Sequence, residues 1–394
     1  MSEDNLQRVI ESIDLSRDLS SDEILNLIDE QIRILSKSRS LSLKEREKIR
    51  IDAFHSIREL GILQDLIEDP EITEIMVNGT DSIFIERRGK LHKVDSRFES
   101  KDKLKQIIWQ ITSDCNRVVN ESSPIVDARL PDGARVNVVL DPIALNGPIL
   151  TIRRFPPKPI MMDDLIRLKS LSTECAVFLK KAVENGLNIL VSGGTGSGKT
   201  TFLNVLSNFI PSDQRVITIE DSAELQLQNI PNLVSLETRN ANVEGCREIT
   251  IRDLLKTSLR MRPDRIIVGE VRSKEAIDML QAINVGHSSM TTVHANSVSD
   301  VISRLETMVL MGMDMPLNAV RGQIASGFDL MVHLGRLKDG SRRVFEISEP
   351  TSLVEGNVVM NQIYRLAENN IDSDGNASYE LERCGDLINA ARYR

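Results

Sequence analysis

The chain has 394 residues, and that length predicts two or three domains. Hydrophobic residues make up 41% and charged residues 27%, a composition typical of globular proteins. Because 58 Asp and Glu outnumber 49 Lys and Arg, the net charge is −9, which excludes a chain-wide basic surface for nucleic acid or anionic lipid. Aromatic residues are only 3%, so we expect an aliphatic core and no aromatic platform for stacking bases.

Cysteine usage and the apolar runs narrow the class of protein further. Cys115, Cys175, Cys246 and Cys384 lie far apart without a CxxC pair, which argues against a zinc site or disulfide scaffold and favours a reducing cytosol. No apolar run reaches the roughly 18 residues that a membrane span needs. The acidic, polar start MSEDNLQRVI is not a secretory signal. We therefore expect a cytoplasmic protein without a membrane span.

Residues 1–60 predict an N-terminal helical module. Ser20 and Ser42 each stand three residues before a glutamate, which is the capping-box spacing, and apolar residues follow at intervals of three and four. Each helix should therefore carry one apolar stripe opposite a charged face. The module either packs on itself as a small appendage or docks a partner, and the sequence leaves both interpretations open.

Residues 61–154 predict a small α/β domain. Helical periodicity covers residues 101–117, and the remaining pattern is that of short strands and turns. The strand-like runs are 75–79, 83–86, 127–130, 135–140 and 149–152. Three prolines in Pro156–Pro159 can continue neither a helix nor a central strand, so we interpret residues 155–165 as a stiff interdomain linker.

Residues 166–394 predict an ATPase domain in which short apolar strands alternate with helices, a pattern that indicates a parallel sheet covered on both faces. The predicted elements are helices over 172–183 and 199–209, and strands over 188–191, 215–219 and 265–268. An antiparallel hairpin should follow, formed by residues 329–333 and 343–347 around Asp339-Gly340. Residues 371–376 predict a polar turn, and we expect the last residues to form a loosely attached tail.

A phosphate-binding loop follows the strand over 188–191. Gly193–Thr200 matches G-x-x-x-x-G-K-[ST], whose backbone N–H groups curl around phosphate oxygens at a helix N-terminus. Lys199 supplies charge to the β- and γ-phosphates, and Thr200 offers a hydroxyl to Mg²⁺. The motif thus predicts ATP and Mg²⁺ as cofactors. The predicted nucleotide-binding residues here are Gly193, Gly194, Thr195, Gly196, Ser197, Gly198, Lys199, Thr200 and Thr201.

Acidic residues follow two further strands, at the carboxyl edge where open α/β sheets place their sites. One pair is Glu220-Asp221 and the other candidate is Glu270. Gly269 stands where an Asp would ligate Mg²⁺, so we expect Glu270 and Glu220 to contact the metal through water. Glu270 is the best candidate to polarise the attacking water.

Histidines and arginines complete the candidate set. His287 and His294 lie within eight residues among small hydroxyl side chains, and they either sense phosphate or serve as core histidines. Four arginines precede the proline run, namely Arg129, Arg135, Arg153 and Arg154. Arginine binds phosphate oxygens bidentately, but surface salt bridges with the abundant carboxylates are an equal alternative.

Four motifs in order resemble those of the type II/type IV secretion superfamily ATPases. They are GGTGSGKTT (193–201), ITIEDSAEL (217–225), ITIRDLLKTSLRMRPDRIIVGEVR (249–272) and GHSSMTTVHAN (286–296). They resemble that family's Walker A motif, Asp box, atypical Walker B motif and His box. Upstream, VDARLPDGARVNVVLDPIALNGPILTIRRF (126–155) is similar to the CpaF (TadA) ATPases of the Tad/Flp pilus branch.

The resemblance implies a RecA-like P-loop core preceded by a small α/β domain, assembled as a homo-hexamer with ATP between domains. It assigns catalytic roles to Glu270, Glu220, His294, Arg135 and Arg153. It places Arg154 and His287 at the nucleotide, with Arg129 as a further candidate. The four-cysteine zinc module of type II extension ATPases is missing, which favours the Tad branch and implies no zinc.

The resulting hypothesis is a cytoplasmic motor ATPase that works on inner-membrane platform proteins of a pilus or secretion machine. Binding energy that differs between nucleotide states can rotate domains and so perform mechanical work. The alternative is a nucleic-acid translocase on the same core, which the net charge of −9 and the few aromatic residues disfavour. A small-molecule kinase would need a pocket and a lid for a second substrate, and the sequence shows no signature of either. A pure scaffold or regulator would function without Lys199.

Overall fold

The computed structural model describes most of the chain and divides it into two compact units, residues 1–158 and 159–394. The described residues are 6, 8–9, 12–13, 21–38, 41–58, 60–87, 89–115, 117–130, 132–154, 159–239, 247–371 and 377–389. Ser20, Cys246, residues 155–158 of the expected linker and residues 372–376 of the expected turn therefore lie outside the described residues. Each unit is described by itself.

The first unit begins with two helices that share a core of their own. They are α1 (Ser21–Ser38) and α2 (Leu43–Arg58), and the buried residues that join them include Ile24, Ile28, Ile32, Ile49 and Ala53. The Ser42 backbone N–H donates to Glu45 Oε2 at 2.8 Å, so the expected capping box is present at α2. The apolar stripes therefore pack on one another within the unit.

The rest of the first unit is an antiparallel six-stranded sheet packed against one long helix. Its elements are α3 (Gln64–Glu68), β1 (Ile72–Asn78), β2 (Ile83–Arg87), β3 (Lys90–Val94), α4 (Lys101–Asp114), β4 (Ile125–Arg129), β5 (Arg135–Val139) and β6 (Ile149–Arg153). The strand order is β3-β2-β1-β6-β5-β4. Ser100 caps α4, which buries Leu104, Ile107, Ile108 and Ile111 against the sheet.

The second unit contains seven helices and nine strands among its described residues. They are α5 (Met162–Arg167), α6 (Thr173–Glu184), β7 (Ile189–Gly193), α7 (Lys199–Ser207), β8 (Val216–Glu220), β9 (Leu233–Glu237), α8 (Ile251–Ser258), β10 (Arg265–Val268), α9 (Glu275–Asn284), β11 (Ser288–His294), α10 (Val298–Gly312), α11 (Leu317–Gly327), β12 (Leu330–Arg336), β13 (Arg342–Val354), β14 (Asn357–Ile371) and β15 (Ala377–Arg383). Helix α5 starts inside the segment expected to be a linker.

One nine-stranded sheet organises the second unit, in the order β15-β14-β13-β12-β7-β11-β10-β8-β9. Strands β12, β7, β11, β10, β8 and β9 pair in parallel, and two hydrophobic clusters cover the two faces. The expected α/β core with a buried parallel sheet is thus confirmed. It places the carboxyl ends of β7, β8, β10 and β11 at one edge, where such sheets carry their sites.

Residues 377–389 are anchored and differ from the expected loose tail, and the last residues, 390–394, lie outside the described residues. Strands β14 and β15 extend the sheet beyond the β12–β13 hairpin, and Tyr364 and Leu381 are buried in its core. Beyond β15, the buried carboxylate of Glu349 accepts from the backbone N–H groups of Ile388 and Asn389 at 2.8 and 2.9 Å. Cross-strand pairing and this carboxylate therefore anchor the segment. Among the residues that the structure describes, every helix is too short or too polar to span a lipid bilayer.

Candidate active site

The phosphate-binding loop connects β7 to α7 and is shaped by its glycines. Gly198 caps α7 with a positive φ of 94°, and Gly196 has a φ of 73°. At Gly193, a Cβ would lie 2.4 Å from the Leu334 carbonyl oxygen, so only glycine fits there. The Ser197 hydroxyl donates to the Gly194 carbonyl at 2.9 Å and closes the loop. The strand–loop–helix setting that the motif requires is present.

Lys199 is the first residue of α7 and is buried within the loop. Its Nζ donates to the carbonyls of Gly193 and Gly194 at 3.1 and 3.0 Å, and lies 3.1 Å from His294 Nδ1. Burial lowers the pKa of Lys199 from its ordinary value, partly offset by the charge of Glu270. Thr200 and Thr201 follow in the first turn of α7, where the helix dipole favours anions.

His294 bridges Lys199 and Glu270. An ammonium group is only a donor, so His294 Nδ1 accepts from Lys199 and the ring proton belongs on Nε2. That Nε2 lies 3.0 Å from Glu270 Oε1. Burial lowers the pKa of His294, which favours this neutral form. Of the two histidines with a proposed phosphate role, His294 is therefore the one that the structure brings to the loop.

Glu270 follows β10 and is oriented by a residue that the sequence reasoning did not single out. Arg272 Nη2 donates to Glu270 Oε2 at 2.8 Å, and Arg272 Nη1 lies 3.4 Å from Asp221 Oδ2. The hydrogen bond to Glu270 raises the pKa of Arg272. The Thr292 hydroxyl donates to the Gly269 carbonyl at 2.8 Å and so fixes the backbone beside Glu270. Lysine, histidine, glutamate and arginine thus form one continuous chain of contacts.

Glu220 ends β8 and lies against Gly269. Its Oε1 accepts from the backbone N–H groups of Glu224 and Leu225 at 2.9 and 3.1 Å. A Cβ on Gly269 would come within 2.9 Å of Glu220 Cγ, so the glycine that replaces the usual Asp makes room for this carboxylate. Oxygen donors suit Mg²⁺, which keeps several waters, and Thr200, Glu220 and Glu270 supply such donors.

A second residue missed by sequence reasoning, Arg342 on β13, contacts the loop. Its Nε donates to the Gly196 carbonyl at 2.9 Å. It also borders a pocket of about 230 Å³ beside the first turn of α7. The other lining residues share an apolar or loop character and include Ile160, Leu165, Ser197, Gly198, Thr201, Phe202 and Leu334. A flat apolar ring fits such a lining next to bound phosphates.

His287 does not join this site. It precedes β11, whereas His294 ends that strand, and seven residues at roughly 3.3 Å each separate the two by about 23 Å. The His287 Nδ1 lies 3.3 Å from the Ala282 carbonyl oxygen, at the opposite edge of the sheet. Within one chain, the expected role of His287 at the nucleotide therefore has no geometric support.

The first unit carries three of the candidate arginines in one row across its sheet. Arg129 pairs with Arg135, and Arg135 pairs with Arg153, so the three side chains share one face of adjacent strands. Glu74 extends the row, and its Oε1 lies 3.2 Å from Arg153 Nε. We call these four residues the arginine row. Three guanidinium groups on one face make the row a candidate anion-binding surface.

Arg154 stands apart from the arginine row. Its Nη1 donates to the backbone carbonyls of Asp69 and Ile72, and its backbone N–H donates to Thr73. These contacts fix the segment between α3 and β1 against the end of β6. The structure therefore gives Arg154 a scaffold contact within the first unit, whereas the resemblance placed it at the nucleotide.

Comparison with known proteins gives the family. Residues 57–370 match the model described as "Type II/IV secretion system protein". The chain belongs to this family. Conjugal transfer protein TrbB of Rhizobium radiobacter is 34% identical over 286 residues, which span 71% of this chain and 84% of that protein. Type IV secretion system protein PtlH of Bordetella pertussis is 32% identical over 315 residues, spanning 73% of this chain and 93% of PtlH.

Among solved structures, the pilus retraction motor PilT with bound ADP matches with a TM-score of 0.53. It is 21% identical and covers 84% of this chain and 85% of that one, so the likeness shows a shared fold. The α/β architecture, a small N-terminal domain before a RecA-like core, is thus that of the type II/IV secretion family. Family membership supports ATPase activity and nucleotide binding at the level of the family.

Proposed function

We propose that this chain is a motor ATPase that hydrolyses ATP as a homo-hexamer and drives pilus assembly or protein secretion at the bacterial inner membrane. The observation that carries the proposal is the cluster at the phosphate-binding loop, where Lys199, His294, Glu270 and Arg272 contact one another in sequence. Buried lysine, oriented carboxylate and helix N-terminus are the groups that phosphoryl transfer to water requires.

The residues of the loop have separate roles in this mechanism. Loop N–H groups and Lys199 bind the phosphates, and Glu270 orients the attacking water and accepts its proton. Thr200, Glu220 and Glu270 would hold Mg²⁺, the two carboxylates through water; when bound, the ion neutralises charge that develops on the β- and γ-oxygens. The pocket beside α7, which Arg342 borders, would take the nucleoside end of the nucleotide.

The arginine row supplies the second part of the proposal. We assign Arg135 and Arg153 to the phosphates of a nucleotide, with Arg129 as a further contact. The in-register pairing of Arg129 with Arg135 and of Arg135 with Arg153 supports this assignment because it gathers three guanidinium groups, which bind phosphate oxygens, on one face of the sheet. Differential contact between arginines and nucleotide states can drive domain motion, and hence work on a partner.

The proposed setting is the cytoplasmic side of the membrane, in contact with platform proteins of a pilus or secretion machine. The resemblance of residues 126–155 to the Tad/Flp branch favours pilus assembly. TrbB is named for conjugal transfer and PtlH for type IV secretion. Protein secretion is therefore the second setting that we propose. Force on a partner protein is common to both settings.

Purification with ATP and Mg²⁺, with particle mass and phosphate release measured together, tests the proposal. We expect turnover in a particle about six times the mass of the 44.1 kDa chain. Lys199→Ala serves as the control that removes turnover. A monomer without turnover would contradict the proposal, and strong stimulation of turnover by nucleic acid would favour the translocase alternative.

A further inference from the structure

A buried carboxylate that the mechanism does not use lies just beyond the Glu270–Arg272 pair. Glu275 is the first residue of α9 and is only 7% exposed. Its Oε1 accepts from the backbone N–H groups of Arg272 and Ser273 at 2.6 and 2.8 Å. One buried oxygen therefore holds two successive N–H groups of the segment that carries the Arg272 side chain.

The segment that Glu275 holds is the turn in which the chain leaves the sheet. Before the turn, the Val271 N–H still donates to the Thr292 carbonyl of β11 at 2.9 Å. After it, α9 begins at Glu275 itself. Between the two, the backbone N–H groups of Arg272 and Ser273 donate to the Glu275 side chain and not to a neighbouring strand. The carboxylate therefore takes over from sheet pairing at the residue whose side chain contacts the active site.

The start of α9, which carries Glu275, is tightly packed. A Cβ on Gly312 of α10 would lie 2.7 Å from the Lys274 carbonyl oxygen, so α10 passes directly against the residue before Glu275. Ala276 and Ile277, the next two residues of α9, are buried in a hydrophobic cluster of the second unit. Glu275 therefore holds the turn from a fixed position.

The side chain of Arg272 needs this support because it is 60% exposed, whereas that of Glu270 is 17% exposed. An exposed ion pair gains little, since holding a long side chain in one geometry costs conformational entropy. A fixed backbone lowers that cost. Arg272 donates to Glu270 Oε2 at 2.8 Å, and His294 lies 3.0 Å from Glu270 Oε1. Displacement of Arg272 would therefore release one of the two carboxylate oxygens.

We propose that Glu275 is a positioning residue for the ATPase site: it holds the backbone of Arg272 so that the guanidinium keeps Glu270 oriented toward the attacking water. This inference rests on the proposed ATPase function. Glu275 does not touch the nucleotide; it acts through Arg272. Displacement of a reacting group by about 1 Å can cost on the order of 100-fold in rate, so loss of this support affects turnover more than ATP binding.

The test compares Glu275→Asp with Glu275→Gln in the full-length protein. Glu275→Asp keeps the charge but is one methylene shorter, so its oxygen withdraws from the two N–H groups, and we expect kcat to fall roughly 10- to 100-fold. Glu275→Gln keeps the reach and an acceptor oxygen, and its kcat should fall less than about threefold. The affinity for a fluorescent ATP analogue should change less than about threefold in both. An acidic residue that only stabilises a helix N-terminus predicts the opposite order of kcat values, which would overturn the proposal.

Asp278→Asn is the matched control for loss of stability. Asp278 lies one turn further along α9 and is also 7% exposed, but its Oδ2 pairs with Arg252 Nε of α8 at 2.6 Å. Because removal of one partner from a buried ion pair is destabilising, this variant should have a lower Tm, with kcat unchanged well below the melting transition. If Asp278→Asn lowers kcat as much as Glu275→Asp does at equal loss of Tm, the effect of Glu275 is one of stability alone and the proposal fails.

A double-mutant cycle with Arg272→Ala separates action through Arg272 from an independent effect. If Glu275 acts through Arg272, Glu275→Asp should lower the residual turnover of Arg272→Ala by less than about twofold. Losses that multiply would overturn the proposal. Normal kcat in Glu275→Asp alongside an active wild type would reject the positioning role only, whereas an inactive wild type would reject the proposed function itself.

Discussion

The active-site cluster and the arginine row arrange charge in opposite ways. At the phosphate-binding loop, cations and anions alternate through Lys199, Glu270, Arg272 and Asp221, with His294 between the first two. In the arginine row the charges are segregated: Arg129, Arg135 and Arg153 lie side by side across adjacent strands, and Glu74, with Glu86 opposite it on the next strand, stands at the other end. Alternating charges hold one another in place, whereas neighbouring arginines present several guanidinium donors to one anion. We therefore propose hydrolysis as the role of the first region and a response to nucleotide as the role of the second.

The largest expected effect comes from breaking the alternating cluster. Glu270→Gln keeps the size of the side chain but removes the charge that orients water, so we expect turnover to fall roughly 1,000-fold while ATP still binds. Lys199→Ala should abolish turnover and weaken ATP binding because it removes the charge on the phosphates. Phosphate release measures the turnover of each variant, and binding of a fluorescent ATP analogue measures its affinity for ATP. Wild-type turnover in Glu270→Gln would contradict the assignment of Glu270 as the residue that orients the attacking water.

Variants of the arginine row should have a smaller and more selective effect. We expect Arg135→Ala or Arg153→Ala to slow hydrolysis about 10- to 100-fold with ATP affinity nearly unchanged, because these side chains are proposed to stabilise charge in the transition state. Lys93→Ala is the matched control, an exposed cation on β3 of the same sheet but outside the row. Unchanged turnover in both arginine variants would reject the role of the row.

Local sequence signals predicted several buried strands of this fold but missed β11 (Ser288–His294), which is buried yet rich in hydroxyl side chains. Strand β10 has the predicted bounds, Arg265–Val268, because a short apolar run buried on both faces has few alternatives. The phosphate-binding loop follows from its glycines for a similar reason, since only glycine tolerates the backbone at Gly193 and Gly198. Strand β9 was missed because it is the edge strand and only half buried, with a weak apolar pattern.

Long-range contacts account for what the sequence did not predict. Arg342 meets Gly196 across 146 residues because the β12–β13 hairpin returns to the loop, and no spacing in the chain indicates that approach. His333 reaches Ser192 across 141 residues through parallel pairing. Arg272 had a detectable signal, because residues two apart in an extended segment project to the same side, and it stands two after Glu270.

The smallest expected effect is a pH dependence of turnover, which should arise in the active-site cluster and not in the arginine row. Burial is the largest cause that lowers the pKa of His294 from 6.5; Lys199, Arg272 and Arg304 act in the same direction and Glu270 opposes them. Neutral His294 accepts from Lys199, whereas a protonated ring has no acceptor and repels the ammonium. Turnover should therefore be level above about pH 6.5 and fall as the pH drops below it.

The arginines of the row keep their charge throughout this range, so the pH profile distinguishes the two regions. His294→Asn should reduce turnover and remove the acidic decline from what remains, since Asn does not titrate. Arg153→Ala should reduce turnover and keep the decline. Initial rates of phosphate release between about pH 5 and 8 measure both profiles. An identical acidic decline in His294→Asn would show that another group titrates, and the bridge between Lys199 and Glu270 would then not govern the rate.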